Sequence, residues 1–473
     1  MKKKSPWIQI ASILCSGIIL VGASALFIKN ASDLLQGNVL NADLPDEIEK
    51  VALPVNYEAR MAKGDALFQA EYFTLAATEY AFAINLEPKN PAAYLSLGKT
   101  YLEMGENQEA VEQFKLASEL NPSSTESSAL YGHALIRNRQ FQEAQNVFDS
   151  FVKEVQEAQY FGALLDSYFG RFDDAEKKLN KAKELAGSIP GEDIQLFLNA
   201  YANFEDQQQG QDIYLKTLLA EAMVDVEEYE LAEGLALDVL SVKSDYRDAW
   251  IILGYSKLKT EAYQDAEDAF AQAKKLDAIK PETHYFLGTA HYLQEEYEEA
   301  IKEFELALLY GFQPQIEAYH KIAESQLFLE RYEDALASYE HLVKIDHSNV
   351  ELFVRPVWIS ITFIKDLDRA LTLAQEATSR FPGEAQSHNL LGWVYVEKDA
   401  LDEAQQSLEK AILLNGNLAE AHYNLGRLYE KKGELENAKS EYKKAHESSE
   451  AGDSISALAA ERFNALILTE LPQ

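Results

Sequence analysis

The chain has 473 residues, of which 47% are hydrophobic and 11% aromatic, and this composition is too apolar for an intrinsically disordered protein. Its 43 Lys and Arg residues against 78 Asp and Glu residues give a formal net charge of −35, which argues against nucleic-acid binding because that binding depends on cationic contacts to phosphates. The single cysteine, Cys15, excludes an intrachain disulfide and a metal site built from clustered cysteines.

The N-terminal segment is typical of a membrane anchor. Residues 1–6 form a basic tip with three consecutive lysines, and the next 22 residues, Trp7–Ile28, carry no charged side chain. As a helix they would extend about 33 Å, enough to cross a hydrocarbon core of about 30 Å. Because three lysines precede the span and only Lys29 follows it closely, we expect a cytoplasmic N-terminus and a single transmembrane helix.

The same segment also fits a cleaved signal peptide. Its basic start, its apolar run over residues 10–21 and the small residues Ala23-Ser24-Ala25 match the three parts of such a signal. The apolar run continues through Leu26-Phe27-Ile28, which favours the uncleaved anchor. Both interpretations export the rest of the chain, with residues 29–56 as an acidic linker.

From residue 57 onward the sequence repeats itself with a period close to 34 residues. Residues 94–101, 388–395 and 422–429 each read aromatic or His, two variable residues, Leu-Gly, two variable residues and Tyr. An alanine follows each of these glycines by twelve residues, and it recurs at positions 76, 110, 144, 175, 232, 266, 300, 335, 370, 404 and 438. Most intervals are 34 or 35 residues, so the chain is a repeat array.

This pattern resembles the tetratricopeptide repeat, a 34-residue helix–turn–helix unit. The resemblance covers about residues 57–450, with repeats beginning near 57, 91, 125, 156, 213, 247, 281, 316, 351, 385 and 419. It implies an all-α fold, a right-handed α-solenoid of about eleven units preceded by one transmembrane helix. We expect an N-terminal block at 57–187, a C-terminal block at 213–450, and a capping helix with a tail at 451–473.

The residue spacing independently predicts stacked helix pairs. Aromatic, Leu, Gly and Tyr residues at i, i+3, i+4 and i+7 form one apolar stripe on each first helix. Glycine costs about 1 kcal/mol relative to alanine inside a helix, so its recurrence indicates a compensating gain in packing. We expect each glycine to face the second-helix alanine and to let the two helix backbones approach closely.

Two segments depart from the pattern. Residues 188–212 hold 23 extra residues, with one additional helix expected at Asp193–Phe204, and they form either a tolerated surface insertion or a hinge between the two blocks. In the repeat beginning near 351, Trp358 stands in the glycine position and Pro356 removes a backbone donor. This second departure indicates either local repacking or a kink that opens the binding groove.

Motifs for catalysis are missing from the sequence. There is no glycine-rich phosphate loop, no His-Glu-x-x-His and no Gly-x-Ser-x-Gly. The nine histidines are scattered, and His388 and His422 occupy the large-residue position of their repeats, where packing is the expected role. We therefore expect a protein that is not an enzyme and that has no cofactor and no metal site.

The resemblance implies that first helices line a concave groove, with positions five and nine of each repeat pointing into it. The candidate partner-binding residues at these positions are Lys99, His133, Tyr255, Tyr285, His320, Arg355, Trp393, Tyr423 and Arg427. No adjacent pair of repeats has the Lys/Asn/Arg clamp that family members use to bind the carboxylate ends of chaperones. The aromatic residues suit an apolar extended or helical peptide, although such positions also vary without functional meaning.

Together these features predict a membrane-anchored scaffold with protein or peptide partners. We expect it in the bacterial inner membrane through Trp7–Ile28, with its repeats on the extracytoplasmic side, in assembly, secretion or envelope maintenance. If the segment is cleaved, the product is a secreted or periplasmic soluble protein. The alternative is a cytosol-facing receptor or co-chaperone of the mitochondrial import type.

Overall fold

The computed structural model describes residues 56–151, 155–205, 212–448 and 454–468, and within these ranges every regular element is helical and no strand occurs. The expected all-α class is confirmed. The basic tip, the predicted span Trp7–Ile28 and nearly all of the acidic linker lie outside the described residues. None of the described helices combines the length and the hydropathy that crossing a bilayer requires.

The described helices fall into two compact units, which meet in the sequence between Ala278 and Ile279. The helices of the N-terminal unit are α1 Tyr57–Gln69, α2 Phe73–Leu86, α3 Pro91–Glu103, α4 Asn107–Leu120, α5 Thr125–Arg137, α6 Phe141–Asp149, α7 Gln156–Tyr168, α8 Phe172–Glu184, α9 Gly191–Glu205, α10 Asp212–Asp225, α11 Tyr229–Val242, α12 Arg247–Lys259 and α13 Tyr263–Leu276. Helix α9 is the additional helix expected in the insertion, and the remaining helices form six successive pairs.

The C-terminal unit contains five further pairs and a last helix. Its helices are α14 Pro281–Leu293, α15 Tyr297–Leu309, α16 Gln315–Phe328, α17 Tyr332–Ile345, α18 Val354–Ile359, α19 Leu367–Arg380, α20 Ala385–Glu397, α21 Leu401–Leu414, α22 Ala419–Lys432, α23 Leu435–Ser448 and α24 Ser454–Leu468. Helix α18 follows a 3-10 turn at Val350–Phe353 and continues into a π-turn at Ser360–Ile364. Helix α24 packs on α22 and α23 and caps the last pair.

The backbone repeats with the same frame as the sequence. The fifteenth residue of every repeat has a positive φ, between 56° and 76°, and ends the first helix of its pair; these residues are Glu71, Gly105, Arg139, Gly170, Glu227, Glu261, Glu295, Glu330, Lys365, Asp399 and Gly433. Only three of them are glycine, although the left-handed conformation costs other residues about 1–2 kcal/mol. The short turn that follows makes the paired helices antiparallel.

The glycine of the first helix makes room for a large apolar side chain of the second helix as well as for the predicted alanine, and a Cβ at Gly288 would lie 3.2 Å from Ala300 O. A Cβ at Gly254 would lie 2.7 Å from the ring of Phe270, sixteen residues later and fully buried. The same relation joins Gly64 with Tyr80, Gly98 with Phe114, Gly132 with Phe148, Gly288 with Phe304, Gly392 with Leu408, and Gly426 with Tyr442. The expectation of a glycine–alanine contact was therefore incomplete, because an apolar side chain fills the space between the helices.

In the ninth repeat the large and the small residue have exchanged positions. Trp358 stands in the glycine position, and Ala374, sixteen residues later, replaces the ring. Both residues belong to one apolar cluster, in which Ala374 is fully buried. This exchange accounts for local repacking at the break.

A second repeated contact fixes the turn between repeats. The side chain at the fourth position of several repeats hydrogen-bonds the carbonyl oxygen six residues earlier. Trp250 Nε1 donates to Ser244 O at 2.8 Å, and Tyr94 Oη donates to Pro88 O at 3.1 Å. His388 and His422 place Nε2 at 3.0 and 2.9 Å from the equivalent oxygens, so their roles are structural.

We predict that Gly254→Ala lowers the free energy of unfolding by about 1–3 kcal/mol, since the added methyl group overpacks against Phe270. Urea denaturation followed by circular dichroism measures the change. The matched control is Gly383→Ala, where a Cβ meets nothing within 4 Å and stability stays within about 0.5 kcal/mol. Equal stability of the two variants would contradict the proposed role of the glycine.

We also predict a pH-dependent contribution from His422. Its Nδ1 lies 2.6 Å from Glu441 Oε2 and its Nε2 faces a carbonyl, so both nitrogens donate in the protonated ring. The hydrogen bond to Glu441 and the nearby carbonyl raise the pKa of His422 against the effect of burial. This stabilisation is complete below the unfolded-state pKa of about 6.5 and is lost as the pH rises through the folded-state pKa.

Comparing the unfolding midpoints of the wild type and His422→Gln between pH 5.5 and 8.5 tests this. The wild type loses more stability than the variant as the pH rises. Parallel profiles would show that the pKa of His422 does not differ between the folded and unfolded states.

Candidate protein-binding surface

The first helices of successive repeats lie closer together than the second helices do. In the N-terminal unit α1 contacts α3, α5 contacts α7, and α10 contacts α12, while in the C-terminal unit α14 contacts α16, α18 contacts α20, and α20 contacts α22. Successive second helices do not reach comparable contact in either unit. The side formed by the first helices, here called the first-helix face, is therefore the inner side of each stack.

Two predicted residues of the C-terminal unit meet at one carboxylate. Trp393 Nε1 donates to Glu397 Oε1 at 3.0 Å, and Arg427 Nη2 lies 2.8 Å from the same oxygen. Tyr423, four residues before Arg427 on α22, packs its ring 5.7 Å from that of Tyr442. Trp393, Arg427 and Tyr423 are all partly exposed, so α20 and α22 present an aromatic and cationic patch.

A second group surrounds Tyr339. The ring of His320 lies edge-on at 6.0 Å from that of Tyr339, and the charge of Arg355 acts on the same phenol. The Arg355 guanidinium also lies 5.5 Å from the ring of Trp358. His320 and Arg355 are partly exposed on α16 and α18.

The carboxylate of Glu324 pairs with polar side chains next to this group. It accepts hydrogen bonds from Lys321 Nζ at 2.9 Å and from Tyr292 Oη at 3.2 Å, and His320 Nδ1 lies 3.6 Å away. Burial opposes its charge, but the His320 and Lys321 partners outweigh burial and lower the pKa of Glu324 to about 2. The carboxylate therefore stays ionised and holds these side chains in place.

Two other predicted residues are buried, whereas Lys99 is exposed. Tyr255 and Tyr285 are only 3% and 4% exposed. The Tyr285 ring stacks on Phe312 with centroids 4.1 Å apart, and Tyr255 packs edge-to-face on Tyr229. Lys99 remains on the surface of α3, where its Nζ lies 3.2 Å from Glu126. Their part in partner binding stays a prediction.

His133 lies beneath another helix of the same unit. Helix α11 packs on α5 and α7, the first helices of the third and fourth repeats, instead of contacting only its neighbours in sequence. His133 Nε2 lies 3.2 Å from Glu228 Oε1, Arg137 Nη1 lies 3.3 Å from Glu230 Oε2, and Arg139 Nη2 lies 2.7 Å from Glu233 Oε2. Part of the first-helix face of these two repeats is thus in contact with the chain itself, although the side chains of His133 and Arg137 stay 25% and 27% exposed.

The three glutamates of this contact are at most 5% exposed, so their pairing is required for burial. Burial raises the pKa of Glu228, but the charges of His133 and Arg137 outweigh it and the net shift is downward. At Glu233, burial is again opposed, here by hydrogen bonds from Arg139 and Lys257, and the pKa is lowered. Gly234 completes the fit, because a Cβ there would lie 2.2 Å from the Tyr168 ring of α7.

Reasoning from the sequence missed this contact. Its signal was a set of acids at 228, 230 and 233 and a set of bases at 133, 137 and 139, on either side of the insertion. Complementary charges are frequent in this chain, so only the tertiary structure selects this set.

Helix α10 adds two carboxyl groups that the sequence did not single out. Burial, with smaller effects from Asp248 and Asp225, raises the pKa of Glu221 to about 7, and burial raises that of Asp225 to about 6. On the adjacent first helix, burial lowers the pKa of Lys259. Glu221 is therefore only partly ionised at neutral pH.

We predict that Glu233→Gln lowers the free energy of unfolding by about 2 kcal/mol, because Arg139 and Lys257 lose a charged acceptor. Glu298→Gln is the control, since its pair with Arg331 is solvent-exposed on both sides and contributes about 0–1 kcal/mol. Urea denaturation at pH 7 compares them. Equal losses would show that the α11 contact is no stronger than a surface ion pair.

Family models for tetratricopeptide repeats match several segments of the chain. The model described as TPR repeat matches residues 64–105 and 392–433, and two described as tetratricopeptide repeat match 91–124, 316–349 and 419–451, and 253–315. All of these segments lie within the array of helix pairs.

Characterised relatives are distant. The human protein DnaJ homolog subfamily C member 3 is 22% identical over 79% of this chain and 69% of its own length. The TPR repeat-containing protein YpiA of Bacillus subtilis is 24% identical over 66% of this chain and 77% of its own length. Among solved structures, yeast Tom70 aligns over 88% of this chain and 96% of its own, with 15% identity and a TM-score of 0.33.

Three observations give the same repeat boundaries. They are the period of the sequence, the left-handed residue that follows each first helix, and the segments that the family models match. The chain is a tetratricopeptide repeat protein.

Proposed function

We propose that this protein is a scaffold that binds a partner polypeptide on the first-helix face of its C-terminal unit. The observation that carries the proposal is the exposure of Trp393 and Arg427 beside Glu397 on that face. Trp and Arg are enriched among residues that dominate binding energy, because they supply large contact area and directional hydrogen bonds. The corresponding face of the third and fourth repeats is occupied by α11.

The exposed residues favour a segment that has both apolar and acidic side chains. Trp393 and Tyr423 offer aromatic surface, while Arg355 and Arg427 offer cationic donors. Glu397 already accepts a hydrogen bond from Trp393 and pairs with Arg427, which fixes the orientation of both side chains and reduces the entropy lost on binding. A binding role rather than a catalytic one is consistent with tetratricopeptide proteins in general, which are mostly non-enzymatic scaffolds.

We further propose that Trp7–Ile28 anchors the protein in the bacterial inner membrane and that the repeats act on the extracytoplasmic side, in assembly, secretion or envelope maintenance. The support is the uncharged length of the segment and the lysines before it. Protease added to spheroplasts tests this location: digestion of the repeats with the N-terminal tip protected supports it. Full protection of the repeats would contradict it, and release of the chain without detergent would indicate cleavage.

Site-specific crosslinking in cells tests the binding face. We predict that a photoreactive residue at position 393 forms a discrete crosslinked band, and that Arg427→Ala weakens this band at least about tenfold, as expected for loss of a dominant contact. The control is the same photoreactive residue at Lys410, which is exposed on the second helix of the same repeat.

A band of equal intensity from position 410 would place the partner elsewhere. The same photoreactive residue can also be placed at His320, on the same face. The absence of a crosslinked band from both position 393 and position 320 would contradict binding on this face.

A further inference from the structure

The break in the ninth repeat lies beside a cavity on a different part of the C-terminal unit. An open cavity of about 390 Å³ is lined by Glu330, Arg331, Tyr332, Glu333, Asp334, Phe363 and Ile364. It lies where the turn between α16 and α17 meets the π-turn that ends the next first helix. Its volume is at the lower end of the range of about 300–1,000 Å³ that ligand pockets span.

The aromatic wall lies at the irregular end of the first helix of this repeat. Helix α18 passes into a π-turn at Ser360–Ile364, and Lys365 follows with a φ of 66°. Within this turn, Phe363 stacks on Tyr332 with centroids 4.1 Å apart and planes 7° apart, and Trp358 meets Phe363 edge-on at 4.9 Å. Trp358, which stands at the glycine position of this repeat, therefore packs against the ring pair that forms the cavity wall. Turns of this kind are frequent at functional sites.

The rim of the cavity is acidic. Glu330, Glu333 and Asp334 contribute three carboxylates against one cation, Arg331. Arg331 donates a hydrogen bond to Glu298 at 2.9 Å, and Glu333 accepts one from Arg369 at 3.1 Å. Both of these rim residues are therefore paired with an opposite charge outside the cavity lining. The remaining rim charge, on Glu330 and Asp334, is negative.

We propose that this cavity binds an arginine side chain presented by a partner polypeptide. A guanidinium group is planar, weakly hydrated and always charged, so it stacks on aromatic faces and pairs with carboxylates at the same time. The Tyr332–Phe363 wall and the Glu330 and Asp334 rim provide these two contacts together. The site is separate from the first-helix face and gives the scaffold a second point of attachment, selective for a basic segment.

The preceding repeat provides a matched control. Phe328 stacks on Tyr297 at 4.7 Å with planes 11° apart, and Glu295 and Glu299 stand at the positions of Glu330 and Asp334. Its first helix, α16, is regular to its end. Neutral substitutions of Glu295 and Glu299 remove two negative charges, as do those of Glu330 and Asp334, but they leave the cavity lining unchanged.

The test uses the full-length chain labelled with 5-fluorotryptophan, whose Trp358 resonance is assigned from Trp358→Phe. Fluorine NMR follows titration with N-acetyl-arginine methylamide and with its neutral analogue N-acetyl-citrulline methylamide. We expect a saturable shift at Trp358 with the arginine compound and affinity at least about fivefold weaker for citrulline, which lacks the charge. Phe363→Leu weakens binding by a similar factor, whereas Phe328→Leu does not.

The paired variants separate a built site from general attraction to an acidic protein. Glu330→Gln with Asp334→Asn lowers arginine affinity about fivefold, while Glu295→Gln with Glu299→Gln changes it less than about twofold. Equal weakening by both pairs, equal binding of citrulline, or no shift at Trp358 with the arginine compound would each overturn the proposal. None of these outcomes bears on partner binding at Trp393.

Discussion

The contact between a first-helix glycine and a large apolar side chain sixteen residues later sets the geometry of most helix pairs. It places a ring such as Phe270 or Phe114 directly over a bare helix backbone, so the two helices pack with no space for a Cβ. Each contact offsets the helix propensity that glycine gives up by burying a large apolar side chain, which is aromatic in every pair except Gly392 and Leu408. In the ninth repeat the residue sizes at these two positions are exchanged, and Trp358 and Ala374 belong to one apolar cluster.

That exchange has consequences beyond packing. A glycine and a ring allow a regular first helix, whereas Trp358 and Pro356 are accompanied by a 3-10 turn, a short α-helix and a π-turn. The π-turn presents Phe363 to Tyr332 and forms one wall of an acidic cavity. A departure from the repeat pattern thus coincides with the most irregular backbone of its unit and with a surface that has recognisable binding chemistry.

The exposure of the first-helix face differs between parts of the chain. Helix α11 covers the inner face of the third and fourth repeats with three buried glutamates, so that part of the array binds its own chain. In the C-terminal unit the equivalent face leaves Trp393, Arg355 and Arg427 partly exposed, and Glu397 holds Trp393 and Arg427 in place. Local substitutions therefore decide which parts of the first-helix face stay open, even though the repeats share one helix-pair architecture.

The sequence by itself determined the repeat frame, the helix pairs and the additional helix at Gly191–Glu205, because periodic apolar residues and short turns act locally. It also placed His388 and His422 correctly in structural positions. It did not reveal that His133 is covered by Glu228 or that Tyr285 is stacked on Phe312, since both contacts join residues whose proximity depends on how repeats stack. Side-chain exposure and charge pairing were decided only by the tertiary structure, because in a stack of similar units each position has many chemically equivalent partners and only packing selects among them.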